Sequence, residues 1–155
     1  MPSKTIKAII AEINNEDADG GGLWLPNIQR LFVWEEDQIE KLFDSVMRQY
    51  PLSSMLLWKT KEHVRNRRFI VEFYASSANL KELYVPYNKK VKRFVLDGQQ
   101  RLQSLFFGLK GSIEGRFLYF NVLSGQAKVV EDEKYCFAFK SEKQSVWPWV
   151  RFSSL

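Results

Sequence analysis

Phe94 to Ser104, Phe-Val-Leu-Asp-Gly-Gln-Gln-Arg-Leu-Gln-Ser, crowds a carboxylate, two carboxamides, a guanidinium and a glycine into one short turn. Phe94-Val95-Leu96 reads as a buried strand that stops at Asp97-Gly98. Leu102, Leu105, Phe106 and Leu109 then recur at i, i+3, i+4 and i+7, which predicts a helix with one buried face. A strand feeding a helix through so short a turn aims the helix's unpaired N–H groups at whatever lies above it. Those donors, with the positive end of the helix dipole, favour a phosphate or another anion. Gly98 permits close approach to the backbone, and Arg101 offers a fixed fork for two oxygens. Ser104 lies three residues beyond Arg101 and falls on the same helical side. The spacing has a second reading: Asp97 and Gln100 also form a capping box, each side chain satisfying a backbone donor of the helix start, with no ligand at all.

The elements that must hold this turn follow from periodicity and punctuation. Ile6, Ile9, Ile10 and Ile13 predict a short first helix capped by Ser3. Asn14 to Gly22 is polar, ends in three glycines and is expected to be a flexible loop. Leu23 to Leu25 is a short strand. Glu35, Glu36 and Asp37 place negative charge at a helix start, and Ile39, Leu42, Phe43, Val46, Met47 and Tyr50 form its apolar stripe, with Pro51 ending the helix. Met55 to Lys59, Arg68 to Tyr74 and Leu83 to Tyr87 read as strands. Phe117 to Val122 and Tyr135 to Lys140 bracket a turn at Ser124-Gly125, which predicts a hairpin. The mixture is an α+β domain.

Three blocks resemble a known family. Asp97-Gly98-Gln99-Gln100-Arg101 is similar to the hallmark of the N-terminal domain of GmrSD-type modification-dependent restriction proteins, part of the wider ParB/sulfiredoxin-like group of nucleotide-binding folds. Leu25-Pro26-Asn27-Ile28-Gln29-Arg30-Leu31-Phe32-Val33-Trp34 resembles the family's Pro-x-x-Gln-Arg-x-(aromatic)-x-Trp signature. Tyr50-Pro51-Leu52-Ser53-Ser54-Met55-Leu56-Leu57-Trp58, after the second helix, resembles a third block. Ser53 departs from a usual glycine and Gln103 from a usual threonine.

The resemblance implies a ParB/sulfiredoxin-like mixed sheet with flanking helices. It also implies a nucleoside triphosphate bound with Mg²⁺ and hydrolysed as the switch of a DNA-restriction or phage-defence system. Gly98, Gln99, Gln100 and Arg101 would hold the phosphates, with Ser104 beside them. Asp97, the carboxylate of the turn, would position the attacking water or reach a phosphate-bound Mg²⁺, with Gln100 and Arg101 as its catalytic companions. Gln29 and Arg30 are carried over as a second wall of the pocket, Arg30 having an alternative as the partner of a buried carboxylate. Trp34 would stack a base or pack into the core. Three alternatives stay open or fall: a ParB-like nucleotide clamp on DNA without turnover, a purely structural interaction domain, and a sulfiredoxin-like redox role, which the lack of a cysteine at positions 97–101 excludes.

Composition prunes the rest. One hundred and fifty-five residues, 45% of them hydrophobic, suit one domain with a real core and exclude disorder. No apolar run approaches the ~18 residues that span a bilayer, and the N-terminus has no secretory signal, so a soluble cytoplasmic protein is expected. One cysteine and one histidine exclude Cys/His zinc sites and a His-Asn-His nuclease centre. Cys136, among Tyr135, Phe137 and Phe139, is expected to be an apolar filler with a protonated thiol. The net charge of +5 gathers at Arg65, Arg67 and Arg68 and at Lys89, Lys90, Lys92 and Arg93. These runs are either solvated faces or contacts to DNA phosphates. Val146-Trp147-Pro148-Trp149-Val150-Arg151-Phe152 is rich in aromatics at the chain's end. It predicts an N-terminal fragment whose exposed aromatics await a C-terminal helical or nuclease domain.

Overall fold

The computed structural model describes residues 4–28, 32–76, 83–126 and 133–154. In chain order the elements are α1 (Ile6–Glu12), β1 (Leu23–Pro26), α2 (Glu36–Met47), β2 (Leu56–Thr60), β3 (Asn66–Arg67), β4 (Glu72–Phe73), β5 (Tyr84–Val85), β6 (Lys92–Asp97), α3 (Gln99–Lys110), β7 (Ser112–Ile113), β8 (Phe117–Asn121), β9 (Phe137–Lys140) and β10 (Trp149–Arg151). This is the expected α+β class. The chain divides into two interleaved compact units. The first comprises Met1–Phe32, Ser54–Ile70 and Asn79–Gln99; the second comprises Val33–Ser53, Val71–Ala78 and Gln100–Leu155.

The first unit is a mixed five-stranded sheet in the order β2-β6-β1-β3-β5. β6 runs parallel to β1, with Leu23 opposite Arg93 and Trp24 opposite Phe94. β2 is antiparallel to β6, and β3 is antiparallel to both β1 and β5. It follows that β6, β1 and β5 point the same way and end at one edge of the sheet. Leu23, Trp24, Phe94 and Val95 supply its core, burying side chains that each contribute roughly 1.5–3 kcal/mol. α1 is capped by Thr5, whose Oγ1 accepts the Ala8 N–H at 3.2 Å, two residues nearer the helix than the expected Ser3, which lies outside the described residues. The glycine run is a packed turn rather than a flexible loop. Gly21 has φ +82°, and a Cβ there would stand 1.6 Å from the Val91 carbonyl oxygen. The expected strand over 68–74 is broken: β3 precedes it in the first unit and only Glu72–Phe73 pairs, in the second.

The second unit joins α2, the larger part of α3, and two small sheets, β10-β8-β9 and β4-β7. The expected hairpin is present, with Phe117 opposite Lys140 and Leu118 opposite Phe139. α2 begins in a capping box between Glu35 and Gln38 and ends at Met47, four residues before Pro51, where Gln49 turns left-handed at φ 59°. Val46 is therefore only half-buried, and Met47 and Tyr50 are exposed. The aromatic C-terminal stretch is largely employed. β10 pairs with β8, and the Phe152 ring packs edge-on against Phe43 and Phe137 at 5.3 and 5.2 Å. Val146 and Trp147 alone keep the expected exposure, at 68% and 73%. No described helix is long and apolar enough to cross a membrane.

Candidate functional site

The strand–turn–helix predicted from the sequence is present: β6 ends at Asp97, Gly98 turns at φ 83°, and α3 starts at Gln99. A positive φ cannot belong to the first helical residue, so Gly98 occupies the cap position. Asp97 stands two residues ahead of Gln99, where α3 begins. The boundary between the units falls between Gln99 and Gln100.

In the first unit, Asp97 is exposed at the end of β6 and pairs in register with Leu56. Gly98 is buried. Gln99 is buried as well, and its Nε2 donates to the Val95 carbonyl at 2.6 Å, so this carboxamide pins the turn to its own strand. In the second unit, Gln100 Oε1 accepts the Val33 N–H at 3.1 Å. The Arg101 guanidinium donates to the Leu52 carbonyl, anchoring the loop in which Ser53 adopts φ 68°. That left-handed backbone is what a glycine provides without strain, which accounts for the glycine the resemblance leads one to expect at position 53. Ser104 is fully buried, and its hydroxyl donates to the Gln100 carbonyl at 2.8 Å, within α3. Trp34 is half-buried just ahead of α2. Gln29 and Arg30 lie outside the described residues.

α3 is buried on more than one face. Leu102, Leu105 and Phe106 are enclosed as expected, but so are Gln103, Ser104 and Phe107, while Leu109 is only half-buried. The helix even requires a glycine for packing: a Cβ on Gly108 would meet the Phe43 ring at 2.3 Å.

The basic runs do not form a continuous cationic stripe. Arg67 and Lys92 are buried, Arg93 pairs with Glu12 at 3.0 Å, and Lys90 lies 3.6 Å from Asp17. Arg65, Arg68 and Lys89 remain exposed. Burial pushes the Lys92 ammonium below the usual lysine range, with Glu16 opposing, and its Nζ lies 4.9 Å from the centre of the Trp24 ring. Cys136 is exposed rather than an apolar filler, and partial desolvation raises its thiol above the usual range, with the nearby Glu133 and Asp44 carboxylates adding to it. Among the described residues, no group of three or more His, Cys, Asp or Glu side chains could hold a metal. A Mg²⁺ ion at the turn would thus be held through phosphate oxygens, water and one carboxylate, the usual mode for this ion with nucleotides.

Sequence reasoning missed a cavity of about 400 Å³ in the first unit, lined by Asn27, His63, Arg65, Asn66, Tyr84 and Tyr87 among others. The Tyr84 hydroxyl donates to Asn27 Oδ1 at 2.8 Å, and His63 and Tyr87 meet edge to face at 4.6 Å. The signal available was slight: two tyrosines three apart in a weak strand, and an asparagine inside the Pro-Asn-Ile-Gln-Arg block.

Residues 7–152 match the family described as GmrSD restriction endonuclease, N-terminal domain. Comparison with curated proteins finds no match. The match covers nearly the whole chain, and the chain belongs to this family, whose description makes it a component of a restriction system.

Proposed function

We propose that this domain binds a nucleoside triphosphate with Mg²⁺ at the turn from Asp97 to Arg101 and hydrolyses it as the switch of a DNA-restriction system. The observation that carries the reading is the abrupt passage from β6 through Gly98, at φ 83°, into the twelve-residue α3. Phosphoryl transfer needs positioning and charge neutralisation rather than covalent help, so backbone donors, one guanidinium and one carboxylate are chemically sufficient. Asp97, exposed at the strand end, would orient water or a phosphate-bound Mg²⁺. Gly98 and the first N–H groups of α3 would take phosphate oxygens, and Arg101 would add its charge. Gln29 and Arg30 enter only by the family resemblance.

One observation favours the second reading, a nucleotide clamp without turnover. Gln100 and Arg101, the proposed catalytic companions of Asp97, hold the Val33 N–H and the Leu52 carbonyl. Asp97→Asn separates the readings. With Mg²⁺ and each ribonucleoside triphosphate, phosphate release should collapse while triphosphate affinity persists. Unchanged hydrolysis would remove Asp97 from the chemistry, and binding without hydrolysis in the wild type would establish the clamp. Arg101→Ala should weaken triphosphate binding by about 1.5–3 kcal/mol.

A further inference from the structure

The cavity of the first unit and the Asp97–Gly98 turn share one edge of one sheet. Extending the β1–β6 register from Trp24 opposite Phe94 brings Asn27 level with Asp97. Asn27 donates its N–H to the Arg65 carbonyl at 2.9 Å, and Asn66 stands opposite both Pro26 and Val85. The cavity therefore opens where the co-directional strands β1 and β5 end, as β6 ends at Asp97. Ligands of open sheets collect at such carboxyl ends. From β6 across β1 to β3 is two strand spacings, about 10 Å. That span is comparable with the reach of a nucleotide from its outer phosphate to its base.

We propose that the cavity between β1, β3 and β5 holds the base of the nucleotide whose phosphates lie at the Asp97–Gly98 turn. The proposal rests on the nucleotide reading above and adds where the ring goes and what reads it. The volume lies within the usual range for small-ligand pockets. Tyr84 and Tyr87 are 44% and 50% exposed, which leaves ring surface on which a planar base can stack. Asn66 supplies the polar reader. It is 3% exposed, its Nδ2 donates to the Val64 carbonyl at 2.8 Å, and its Oδ1 has no partner. The orientation is fixed by chemistry, since an oxygen in place of that Nδ2 would face the Val64 oxygen. What this residue lacks is a hydrogen-bond donor. An anion would meet it as acceptor against acceptor, so the phosphates belong at the turn and the ring N–H or amino group of a base belongs here. Arg65 can lie along the stacked ring or pair with an acceptor on its edge.

The test is calorimetry on the chain with Mg²⁺, using each ribonucleoside triphosphate, inorganic tripolyphosphate and a single-stranded oligonucleotide, on wild type, Tyr87→Ala and Asn66→Val. Tyr87 is half exposed, so its removal tests stacking even if Asn66→Val fails to fold. At least one triphosphate should bind, and Tyr87→Ala should weaken it on the order of tenfold, the loss of one base–aromatic stack, leaving tripolyphosphate affinity unchanged. Equal triphosphate affinity in wild type and Tyr87→Ala would overturn the base pocket while leaving the phosphate site standing. Loss of tripolyphosphate binding in Tyr87→Ala would overturn it too, because the residue would then act through the phosphates. A loss confined to the oligonucleotide would assign the cavity to nucleic acid and overturn the proposal as stated. No binding of any triphosphate or tripolyphosphate to the wild type would remove the phosphate reading itself, and this inference with it.

Discussion

The two compact units treat their buried polar groups in opposite ways. In the unit containing α2 and the β8–β9 hairpin, Asp44 is buried, yet its Oδ1 accepts the N–H groups of Lys134 and Tyr135 at 3.2 and 2.8 Å and its Oδ2 takes Arg48 at 3.3 Å. Glu40 accepts the Phe139 N–H at 3.0 Å, and Arg116 pairs with Glu36. In the sheet unit, Asn66 Oδ1, Asn88 Oδ1, Lys92 Nζ and two Arg93 nitrogens are buried without a hydrogen-bond partner; among the described residues, Arg151 Nε is the single such atom of the other unit. The Arg93 ion pair with Glu12 offsets part of this, since it supplies charge where hydrogen-bond alignment is poor. An unsatisfied buried group costs about 1–3 kcal/mol, so native folds rarely leave several together without a reason. Of these groups only Asn66 lines the cavity; Lys92 and Arg93 lie at the start of β6, the opposite end of that strand from Asp97. On the nucleotide reading proposed above, Asn66 is the polar group kept open for a ligand, whereas the buried carboxylates of the second unit serve the fold.

That contrast is most severely tested by Asp44→Ala. Removing this acceptor strips two backbone donors and a guanidinium of their partner, and should cost about 3 kcal/mol in urea denaturation. A loss below half of that would mean that the carboxylate network of the second unit is not what secures the hairpin to α2. Gly108→Ala should follow, at about 1–3 kcal/mol, because the new methyl must displace the Phe43 ring and Leu118.

Lys92→Met tests the other unit, with the opposite sign. The folded state holds Lys92 below its ordinary protonation range, so the unfolded chain binds the proton more tightly and stability rises with pH. The penalty is complete below the folded value and vanishes as pH climbs past 10.5, where both states are neutral. Methionine should therefore raise the denaturation midpoint at pH 7, and the gain should shrink as pH approaches 10.5. A loss of stability at neutral pH would mean that the ammonium's position over Trp24 outweighs its desolvation.

Much of this was legible in the sequence where local chemistry dictates local structure. The β6–Gly98–α3 passage, the start of α2 and the β8–β9 hairpin all follow from period, caps and turns. What was not legible depended on partners distant in the chain. Nothing near Gln100 announces Val33, and nothing near Arg101 announces the Leu52 carbonyl. The glycine run looked flexible because a glycine's freedom is visible in a sequence, whereas the Val91 carbonyl that requires a glycine at position 21 is not. Cys136 looked buried because its neighbours are apolar, but strand alternation turns Phe137 and Phe139 inward and leaves the cysteine outside. The cavity was hidden for the same reason: Asn27, His63, Asn66 and Tyr87 meet only through strand pairing.

The smallest expected effect sharpens the comparison from inside the cavity. Tyr84→Phe deletes the hydroxyl that donates to Asn27 Oδ1 and leaves the ring in place. Tyr84 is 44% exposed and water can replace its hydroxyl, so the loss in stability should stay below about 1 kcal/mol. Its consequence for binding should be larger than its consequence for folding. With the hydroxyl gone, Asn27 Oδ1 joins Asn66 Oδ1 as an acceptor without a donor from the chain, and a base carrying two donors has more to satisfy. Triphosphates of amino-bearing bases should then gain affinity relative to uridine triphosphate, while tripolyphosphate binds as before. If Tyr84→Phe instead destabilises the chain as strongly as Asp44→Ala, the cavity's hydrogen bonds serve the fold as those of the second unit do, and the distinction between the two units fails.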